Sequence, residues 1–362
     1  MHLPKTNSAT IIEQALSFRT PDRLPVYNQF WEFEERWRRE RRPAPETAIE
    51  DHYWIDLNVV VAAEQFFPSR VGEIERRGDT VYFDDGWGRI QRRKEGAYFA
   101  ETVERVLRSR ADLDRIQFEP PGLDARYRDF LHEVERHRSK GRAVFVKIGG
   151  PFIRSSFLRG ATDLLTDMAA DEGFARALIE RVGDHLLAIG IESLERADAY
   201  DFGLWICDDM CSINAPLFSP DLFERILLDV YRRLVATLKS AGARWVIFHS
   251  DGNQMPLLDM LMDAGIDGLN PVEPSAGMDP VALLERYHGR LSILGGVCNT
   301  RILPRGDRDA IRRHVQPLIE AGRHGGLVIG ASSLGQDVPV DAYEYFRELV
   351  VELGAYGAAE PE

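Results

Sequence analysis

Cysteine is scarce in this chain. Its 362 residues include only Cys207, Cys211 and Cys298. Three thiols are too few to stabilise a chain of this length through disulfide bonds, so the sequence does not resemble a disulfide-rich extracellular domain. The thiols therefore remain available as metal ligands or as small buried core residues.

Long apolar runs are also missing. No uncharged apolar stretch reaches about 18 residues, the length that a transmembrane helix needs, and the N-terminal segment MHLPKTNSAT has no apolar core typical of a signal peptide. The 45 basic residues are outnumbered by 58 acidic ones, which gives a net charge of -13. Such a field repels nucleic acids and anionic membrane surfaces. We therefore expect a cytoplasmic protein that acts on a small molecule and binds neither nucleic acid nor membrane.

Short apolar runs alternate with helical segments along most of the chain. Eight of these runs are candidate strands, centred near Val26, Asn58, Val144, Leu204, Val246, Leu269, Ile293 and Val328. Strands that alternate with helices indicate a parallel sheet. No glycine-rich dinucleotide-binding loop follows any of these strands, which disfavours an open doubly wound sheet. We predict the α/β class and a (β/α)8 TIM barrel, with residues 1–362 forming a single domain.

Residues 71–108 depart from this alternation. Aromatic and β-branched runs are joined there by Asp-Gly and Glu-Gly turns, a pattern typical of β-hairpins. We predict a β-hairpin insertion in the N-terminal part of the barrel. The residues leave open whether it covers the barrel mouth or forms a dimer contact.

Polar side chains follow the last five predicted strands. In chain order they are Asp208 and Asp209, His249 and Asp251, Glu273, Cys298 and Asn299, and Ser332 and Ser333. Because TIM barrels place their chemistry at the carboxyl ends of the strands, we expect an active site there. His249 and Asp251 are a candidate acid/base pair. Each residue alone also has a structural interpretation, such as a turn cap, a buried thiol or a core histidine.

Several motifs together resemble the uroporphyrinogen decarboxylase-like superfamily. They are GGPFIRSSFLRG (149–160), Asp208-Asp209 with Phe218-Ser219-Pro220, HSDGN (249–253), GIDGLNPVEPSAGMD (265–279) and GGVCNTRIL (295–303). The resemblance covers most of residues 20–350 and implies a TIM barrel. The superfamily includes uroporphyrinogen decarboxylases, methylcobamide:coenzyme M methyltransferases and cobalamin-independent methionine synthases.

This chain departs from the uroporphyrinogen decarboxylases at the N-terminal motif with which those enzymes bind their substrate. Two arginines near the N-terminus of those enzymes bind substrate carboxylates, and alignment on Pro25-Val26 places Phe30 and Glu34 at these positions. The branch's catalytic aspartate would fall near Ala63. A phenyl ring and a carboxylate cannot bind carboxylate groups, so this branch's porphyrinogen substrate is not expected.

The methyltransferase branch uses zinc to bind a thiol substrate as its thiolate. By resemblance, His249 is the histidine ligand, Asp251 replaces one cysteine and Glu273 corresponds to a glutamate ligand. The last cysteine ligand falls at Ser332 or Ser333, while Cys298 supplies a thiol from another strand. We therefore predict that His249, Asp251, Glu273 and Cys298 are the metal ligands and that zinc is the candidate metal. A metal-free acid/base site at His249 remains the alternative.

The resemblance implies methyl transfer, as a corrinoid-linked methyltransferase or O-demethylase component. No Asp-x-His-x-x-Gly corrinoid-binding motif is present, so the corrinoid is expected on a separate protein. His249, Asp251, Asp208 and Asp209 are the predicted catalytic residues, the last two orienting the substrate. The predicted substrate-binding residues are Phe30, Trp31, Arg154, Arg159, Asn299, Ser332 and Ser333. The resemblance is compatible with a homodimer.

Two alternative functions stay open. The first is a cofactor-free decarboxylase or other lyase that acts on a small carboxylic acid or a tetrapyrrole by acid/base chemistry. The second is a non-catalytic partner that binds a corrinoid or a tetrapyrrole.

Overall fold

The computed structural model describes residues 7–97 and 99–357. Its strands are β1 (Gln29–Phe30), β2 (Leu57–Val61), β3 (Gly72–Arg77), β4 (Thr80–Asp84), β5 (Arg89–Lys94), β6 (Glu101–Arg105), β7 (Ala143–Gly149), β8 (Gly203–Cys207), β9 (Trp245–His249), β10 (Gly268–Asn270), β11 (Ser292–Gly296), β12 (Leu327–Gly330) and β13 (Ser333–Leu334).

The helices lie mainly between these strands. They are α1 (Ser8–Leu16), α2 (Phe33–Arg41), α3 (Ile49–His52), α4 (Arg110–Arg115), α5 (Arg128–Arg138), α6 (Pro151–Arg159), α7 (Ala161–Ala170), α8 (Glu172–Ala197), α9 (Pro220–Leu222), α10 (Asp229–Ser240), α11 (Leu258–Asp263), α12 (Pro280–Arg286), α13 (Arg308–Gly322) and α14 (Val340–Leu353). A π-helical segment, Phe223–Leu228, joins α9 to α10. Short 3-10 helices occupy Pro68–Arg70, Asp124–Arg126, Met255–Leu257, Pro274–Ala276 and Leu303–Arg305. None of the described helices is long and apolar enough to cross a membrane.

Seven parallel strands form the barrel sheet in the order β12-β11-β10-β9-β8-β7-β2. The N-terminal segment closes it. Val26 forms a parallel bridge with Ile329, β1 pairs with β13, and the amide of Asp56 donates to the carbonyl of Val26. The strands of the sheet are largely buried, because one face of the sheet lines the barrel interior and the helices pack on the other face. The predicted (β/α)8 barrel is confirmed; its first strand is shorter than the other seven.

A buried carboxylate holds the closing segment in place. Asp56 is fully buried and accepts hydrogen bonds from Arg23 (2.6 and 2.8 Å), Ser8 Oγ (2.5 Å) and the Val26 amide (2.9 Å). These contacts tie α1 and the chain before β1 to the start of β2. Asp56 therefore supports the barrel far from the carboxyl ends of the strands, in agreement with a stabilising role at the opposite face.

The predicted β-hairpin insertion forms a separate antiparallel sheet, β3-β4-β5-β6. Tyr98 of this segment lies outside the described residues. Trp87 of the insertion is buried against Phe66 and Phe157, with ring centroids 5.3 and 5.5 Å apart. Phe157 belongs to α6, which begins directly after β7, so the insertion packs beside the carboxyl ends of β2 and β7. The assignment of all 362 residues to one domain stays a prediction.

His185 of α8 provides a test of the packing beneath this insertion. It is buried between Phe66 and Phe118, and burial lowers its pKa from 6.5 to about 4, with a further contribution from Arg126. The pKa of His185 is lower in the folded than in the unfolded protein. Its contribution to the free energy of unfolding is therefore complete above about pH 6.5 and is lost as the pH falls towards 4. At 1.36 kcal/mol per pH unit, the loss reaches about 3 kcal/mol.

We expect His185→Phe to lose less stability than the wild type between pH 7.5 and pH 4.5, because phenylalanine fits the aromatic surroundings and does not titrate. Urea unfolding at both pH values measures the difference, and the other titrating groups cancel in the comparison. Equal pH dependence of the free energy of unfolding in both proteins would contradict the assignment.

Candidate active site

The end of β8 and the end of β9 bring a thiol and an imidazole together. In the parallel register Cys207 pairs with His249, and His249 pairs in turn with Asn270. Paired residues on adjacent strands point to the same face, and side chains alternate along a strand. Cys207, His249 and Asn270 therefore project together at the carboxyl ends of three neighbouring strands.

Asp209 completes a compact cluster of donor atoms. The ligand atoms of Cys207, Asp209 and His249 all lie within 4.8 Å of one another. His249 Nε2 is 3.7 Å from Asp209 Oδ1 and 3.9 Å from Asp251 Oδ1. His249 is buried, whereas the side chains of Asp209 and Asp251 are 45% and 57% exposed. The cluster thus combines sulfur, oxygen and nitrogen donors and opens to solvent on its carboxylate side.

Asn270 sets the orientation of His249. The Asn270 Nδ2 group donates to the carbonyl of Leu294 at 2.6 Å, so its Oδ1 faces His249 Nδ1, 2.6 Å away, as an acceptor. Nδ1 therefore carries a proton, and Nε2 points towards Cys207 and Asp209. Metal-binding histidines are held in this way, with one ring nitrogen donating to a neighbouring acceptor and the other free for the metal.

The charges around His249 favour a bound cation, either a proton or a metal ion, at Nε2. Burial lowers the pKa of His249, but Cys207, followed by Asp251 and Asp209, raises it more, and the pKa reaches about 9. Burial also raises the pKa of Asp251, an effect that His249 opposes and that Asp209 and Glu273 reinforce. A proton and a metal ion would compete for the same imidazole nitrogen.

Glu273 supports the loops of the site rather than the cluster itself. Its Oε2 accepts a hydrogen bond from the Gly252 amide at 2.6 Å. Gly252 has φ +87°, and a Cβ atom there would lie 2.3 Å from the carbonyl oxygen of Ser212, so only glycine fits. The Asp251 amide also donates to Asp209 Oδ1 at 3.2 Å. The loops after β8, β9 and β10 are therefore fastened together around the cluster.

Three of the four predicted metal ligands, Asp251, Glu273 and Cys298, lie outside this cluster, and their role as ligands stays a prediction. Among residues 7–97 and 99–357, the cluster of potential ligand atoms shares only His249 with the predicted set. The amide of Cys298 donates to His314 Nε2 at 3.0 Å, and its Sγ lies 3.7 Å from Thr300 Oγ1. The chain turns at Gly295 and Gly296, which have φ of +131° and +87°, so the alternation of β11 does not continue to this thiol.

Asp208, predicted to orient the substrate, lies apart from the cluster, and that role stays a prediction. It is fully buried and accepts hydrogen bonds from the amides of Ile153 (2.6 Å) and Phe152 (3.0 Å) and from the Tyr231 hydroxyl. Burial raises its pKa to about 7, against the effect of these hydrogen bonds. Because side chains alternate, Asp208 points away from Cys207 and Asp209 and caps the N-terminus of α6.

The two predicted substrate-binding arginines are engaged in ion pairs. Arg154 pairs with the buried carboxylate of Glu64 and lies over the ring of Trp87, 4.3 Å from its centroid. Arg159 pairs with Asp167 at 2.7 Å, away from the cluster. Arg154 thus links the insertion to the barrel mouth, and Arg159 links α6 to α7.

The remaining predicted substrate-binding residues lie around β1 and β13. Phe30 packs against Tyr343, Phe33 and Tyr53, whereas Trp31 is 61% exposed. Asn299 donates to the carbonyl of Ser333 at 2.8 Å, and Ser332 is buried. Substrate binding by Phe30, Trp31, Arg154, Arg159, Asn299, Ser332 and Ser333 stays a prediction.

Sequence reasoning missed Cys207. Cys207 is the last residue of the apolar run FGLWIC (202–207), which contains the predicted strand near Leu204, so it does not appear among the polar side chains that follow this strand. Two signals were available: Cys207 ends its strand as His249 ends the next, and Cys207-x-Asp209 has the alternate spacing that places two side chains on one face.

We expect the cluster to bind zinc and Asn270→Leu to weaken that binding about 10- to 100-fold, the usual effect of removing the hydrogen-bond partner of a histidine ligand. Leucine fills the space but cannot accept the Nδ1 proton. Zinc affinity measured by competition with a chromophoric chelator tests this. Asn299→Leu, which removes an amide engaged with Ser333, is the control. Unchanged affinity in Asn270→Leu would exclude an orienting role.

The described barrel, with its titratable cluster at the carboxyl ends of β8 and β9, has the organisation of a TIM-barrel protein whose site lies at the strand ends. The chain belongs to the uroporphyrinogen decarboxylase (URO-D) family, whose model matches residues 94–353. This confirms the resemblance seen in the sequence motifs. Comparison with curated proteins gives no match.

Two solved structures are similar to the chain. A methyltransferase from Methanosarcina mazei superposes with a TM-score of 0.70 at 16% identity, over 96% of this chain and 99% of that protein. This similarity supports the barrel fold. A sugar phosphate isomerase/epimerase from Parabacteroides distasonis gives a TM-score of 0.29 at 12% identity, over 65% of this chain and 91% of that one. That score is too low to support a structural conclusion.

Proposed function

We propose that this protein is a zinc-dependent methyltransferase that moves a methyl group between a small molecule and a corrinoid held on a separate protein. The observation that carries the proposal is the cluster of Cys207, Asp209 and His249, which gathers sulfur, oxygen and nitrogen donors within 4.8 Å. The fold is also that of a structure described as a methyltransferase.

The residues of the cluster fit zinc. Thiolate, carboxylate and imidazole are its common protein ligands, and catalytic zinc sites have three protein ligands and one open position. The Asn270 acceptor at His249 Nδ1 supplies the outer hydrogen bond that such sites have. A zinc ion there would act as a Lewis acid on a substrate sulfur or oxygen atom and would stabilise the thiolate or alkoxide that remains when the methyl group leaves.

The other residues of the mouth would prepare the substrate. Asp251 lies beside the cluster, with its carboxylate 3.9 Å from His249 Nε2 and its side chain 57% exposed. It is placed to give a proton to the substrate oxygen or sulfur when the methyl group leaves, and to take that proton back in the reverse direction. The hydrogen bonds from Gly252 to Glu273 and from Asp251 to Asp209 keep the carboxylates in place.

Elemental analysis and a methyl-transfer assay test the two parts of the proposal. We expect about one zinc ion per chain after reconstitution, as three-ligand catalytic sites bind one ion. We also expect reduced cobalamin to be methylated, with a change in its absorbance, when the protein is mixed with methoxylated or methylthio donors. A protein that binds no zinc contradicts the metal site, and unchanged cobalamin spectra with every donor contradict methyl transfer to a corrinoid.

A metal-free lyase is the second candidate, favoured by the approach of two carboxylates to one imidazole. Asp209 and Asp251 lie 3.7 and 3.9 Å from His249 Nε2, so a proton can pass among these groups without a metal. A lyase of this kind would lose activity in His249→Ala and keep it in Cys207→Ser. The zinc enzyme would lose activity in both variants.

A further inference from the structure

Lys147, in the strand β7, is a cation whose side chain has no partner among the residues that the structure describes. The other lysines that the structure describes form ion pairs: Lys94 with Asp79 (3.2 Å), Lys140 with Asp51 (2.5 Å) and Lys239 with Asp267 (2.8 Å). Among the described residues, the Lys147 ammonium group has no hydrogen-bond partner and no carboxylate within 4 Å. It is partly buried, within a run of otherwise buried residues, AVFVKIG.

The strand register directs Lys147 to the barrel interior. It pairs with Val61 on β2 and with Trp205 on β8, and paired residues share a face. The ring of Trp205 contacts Tyr27 at 5.2 Å, and Tyr27 lies on the closing segment on the other side of the barrel, so this face is the inner one. Val61 is 44% exposed, which shows that the interior is open to solvent beside Lys147.

Lys147 shares this interior with the cluster. The next inward position of β7 is Gly149, which pairs with Cys207. Lys147 therefore lies two residues, or about 7 Å along the strand, before the position that pairs with Cys207. The Lys147 side chain on β7 and the Cys207 sulfur on β8 therefore face the same part of the barrel interior.

An unpaired ammonium in such a place is unfavourable for the folded protein by itself. Partial burial removes water from the charge, and none of the carboxylates in the described part of the chain lies close enough to compensate for it. Arg154, the nearby candidate for binding anions, already has its charge balanced by Glu64. Charged groups held unpaired in a cleft are typical of binding sites, where the ligand supplies the opposite charge.

We propose that Lys147 binds an anionic group of the substrate, a carboxylate, and so selects small methylated acids. The acid group lies at Lys147, and the methyl-bearing sulfur or oxygen reaches the cluster of Cys207, Asp209 and His249. The methylated part of this inference rests on the proposed function. The recognition of the acid does not, because it depends on the ammonium group alone.

Paired acids and amides test this inference without any catalytic step. Methoxyacetate and 4-methoxybenzoate are compared with methoxyacetamide and 4-methoxybenzamide by calorimetric titration of the full chain. We expect the acid of at least one pair to bind about 10- to 100-fold more tightly than its amide, the range of a charge-assisted hydrogen bond. Lys147→Met removes this preference, and Lys147→Arg keeps most of it.

Lys239→Met is the matched control, since this lysine pairs with Asp267 and should not affect the preference. Lys147→Met is also expected to be at least as resistant to urea as the wild type, because it removes a partly buried unpaired charge. Acids that bind no more tightly than their amides, or a preference that persists in Lys147→Met, would overturn the proposal. Failure of methyl transfer alone would leave it standing, since binding is measured without zinc or corrinoid.

Discussion

Cys207→Ala is expected to lower zinc affinity by more than about 100-fold, whereas Cys298→Ala is expected to leave it unchanged. Cys207 supplies the sulfur of the donor cluster, and even hydrogen-bond partners outside the ligand shell contribute 10- to 100-fold. Cys298 is equally a free thiol, but its amide and sulfur contact His314 and Thr300 instead. The two variants therefore separate the site in the structure from the site predicted by sequence.

Zinc content after dialysis against a chelator and competition titration both measure this effect. Circular dichroism shows whether each variant keeps its fold, and Cys211→Ala is a further control outside the cluster. His249→Ala and Asp209→Ala are expected to reduce affinity together with Cys207→Ala. Retained zinc in Cys207→Ala, with loss in Cys298→Ala, would restore the ligand set that the sequence predicted.

Asp56→Ala is expected to destabilise the protein by about 3–5 kcal/mol, the cost of breaking a buried ion pair by removal of one partner. The variant leaves the Arg23 guanidinium, Ser8 Oγ and the Val26 amide without their common acceptor. These groups hold the segment that closes the barrel. The effect should therefore be a loss of global stability rather than a local change at the strand ends.

Urea unfolding followed by tryptophan fluorescence measures this loss. Glu40→Ala is the control, because Glu40 pairs with Arg36 on the surface of α2 and should contribute less than about 1 kcal/mol. The double variant Arg23→Met/Asp56→Leu should recover part of the stability, since it removes both charges. A loss in Asp56→Ala no larger than that in Glu40→Ala would show that barrel closure does not depend on this carboxylate.

The sequence was informative about the barrel because its signals are local. Apolar runs of strand length alternate with helical segments, and parallel strands buried on both faces need continuous apolar runs such as WVIF. The antiparallel insertion was likewise predicted from turn residues between β-branched runs. The strand predicted near Val26 differs most from the structure. There Val26 forms only a single bridge to Ile329 of β12, and the regular strand β1 is a two-residue pairing with β13.

The site was predicted in part. His249 and Asp209 were selected because they follow predicted strands, and the structure places both in the cluster. Asp208 was selected for the same reason, but it caps α6. Position after a strand indicates the correct end of the barrel. It does not indicate which way a side chain points.

By itself, the sequence determined the family, the barrel and the end of the barrel where polar residues gather. Only the tertiary structure decided that Cys207, rather than Cys298, lies beside His249, and that Lys147 faces the same interior without a side-chain partner in the described ranges 7–97 and 99–357. The physical reason is strand register. Alternation turns neighbouring residues to opposite faces, and which residues of separate strands meet depends on pairings between segments distant in the chain.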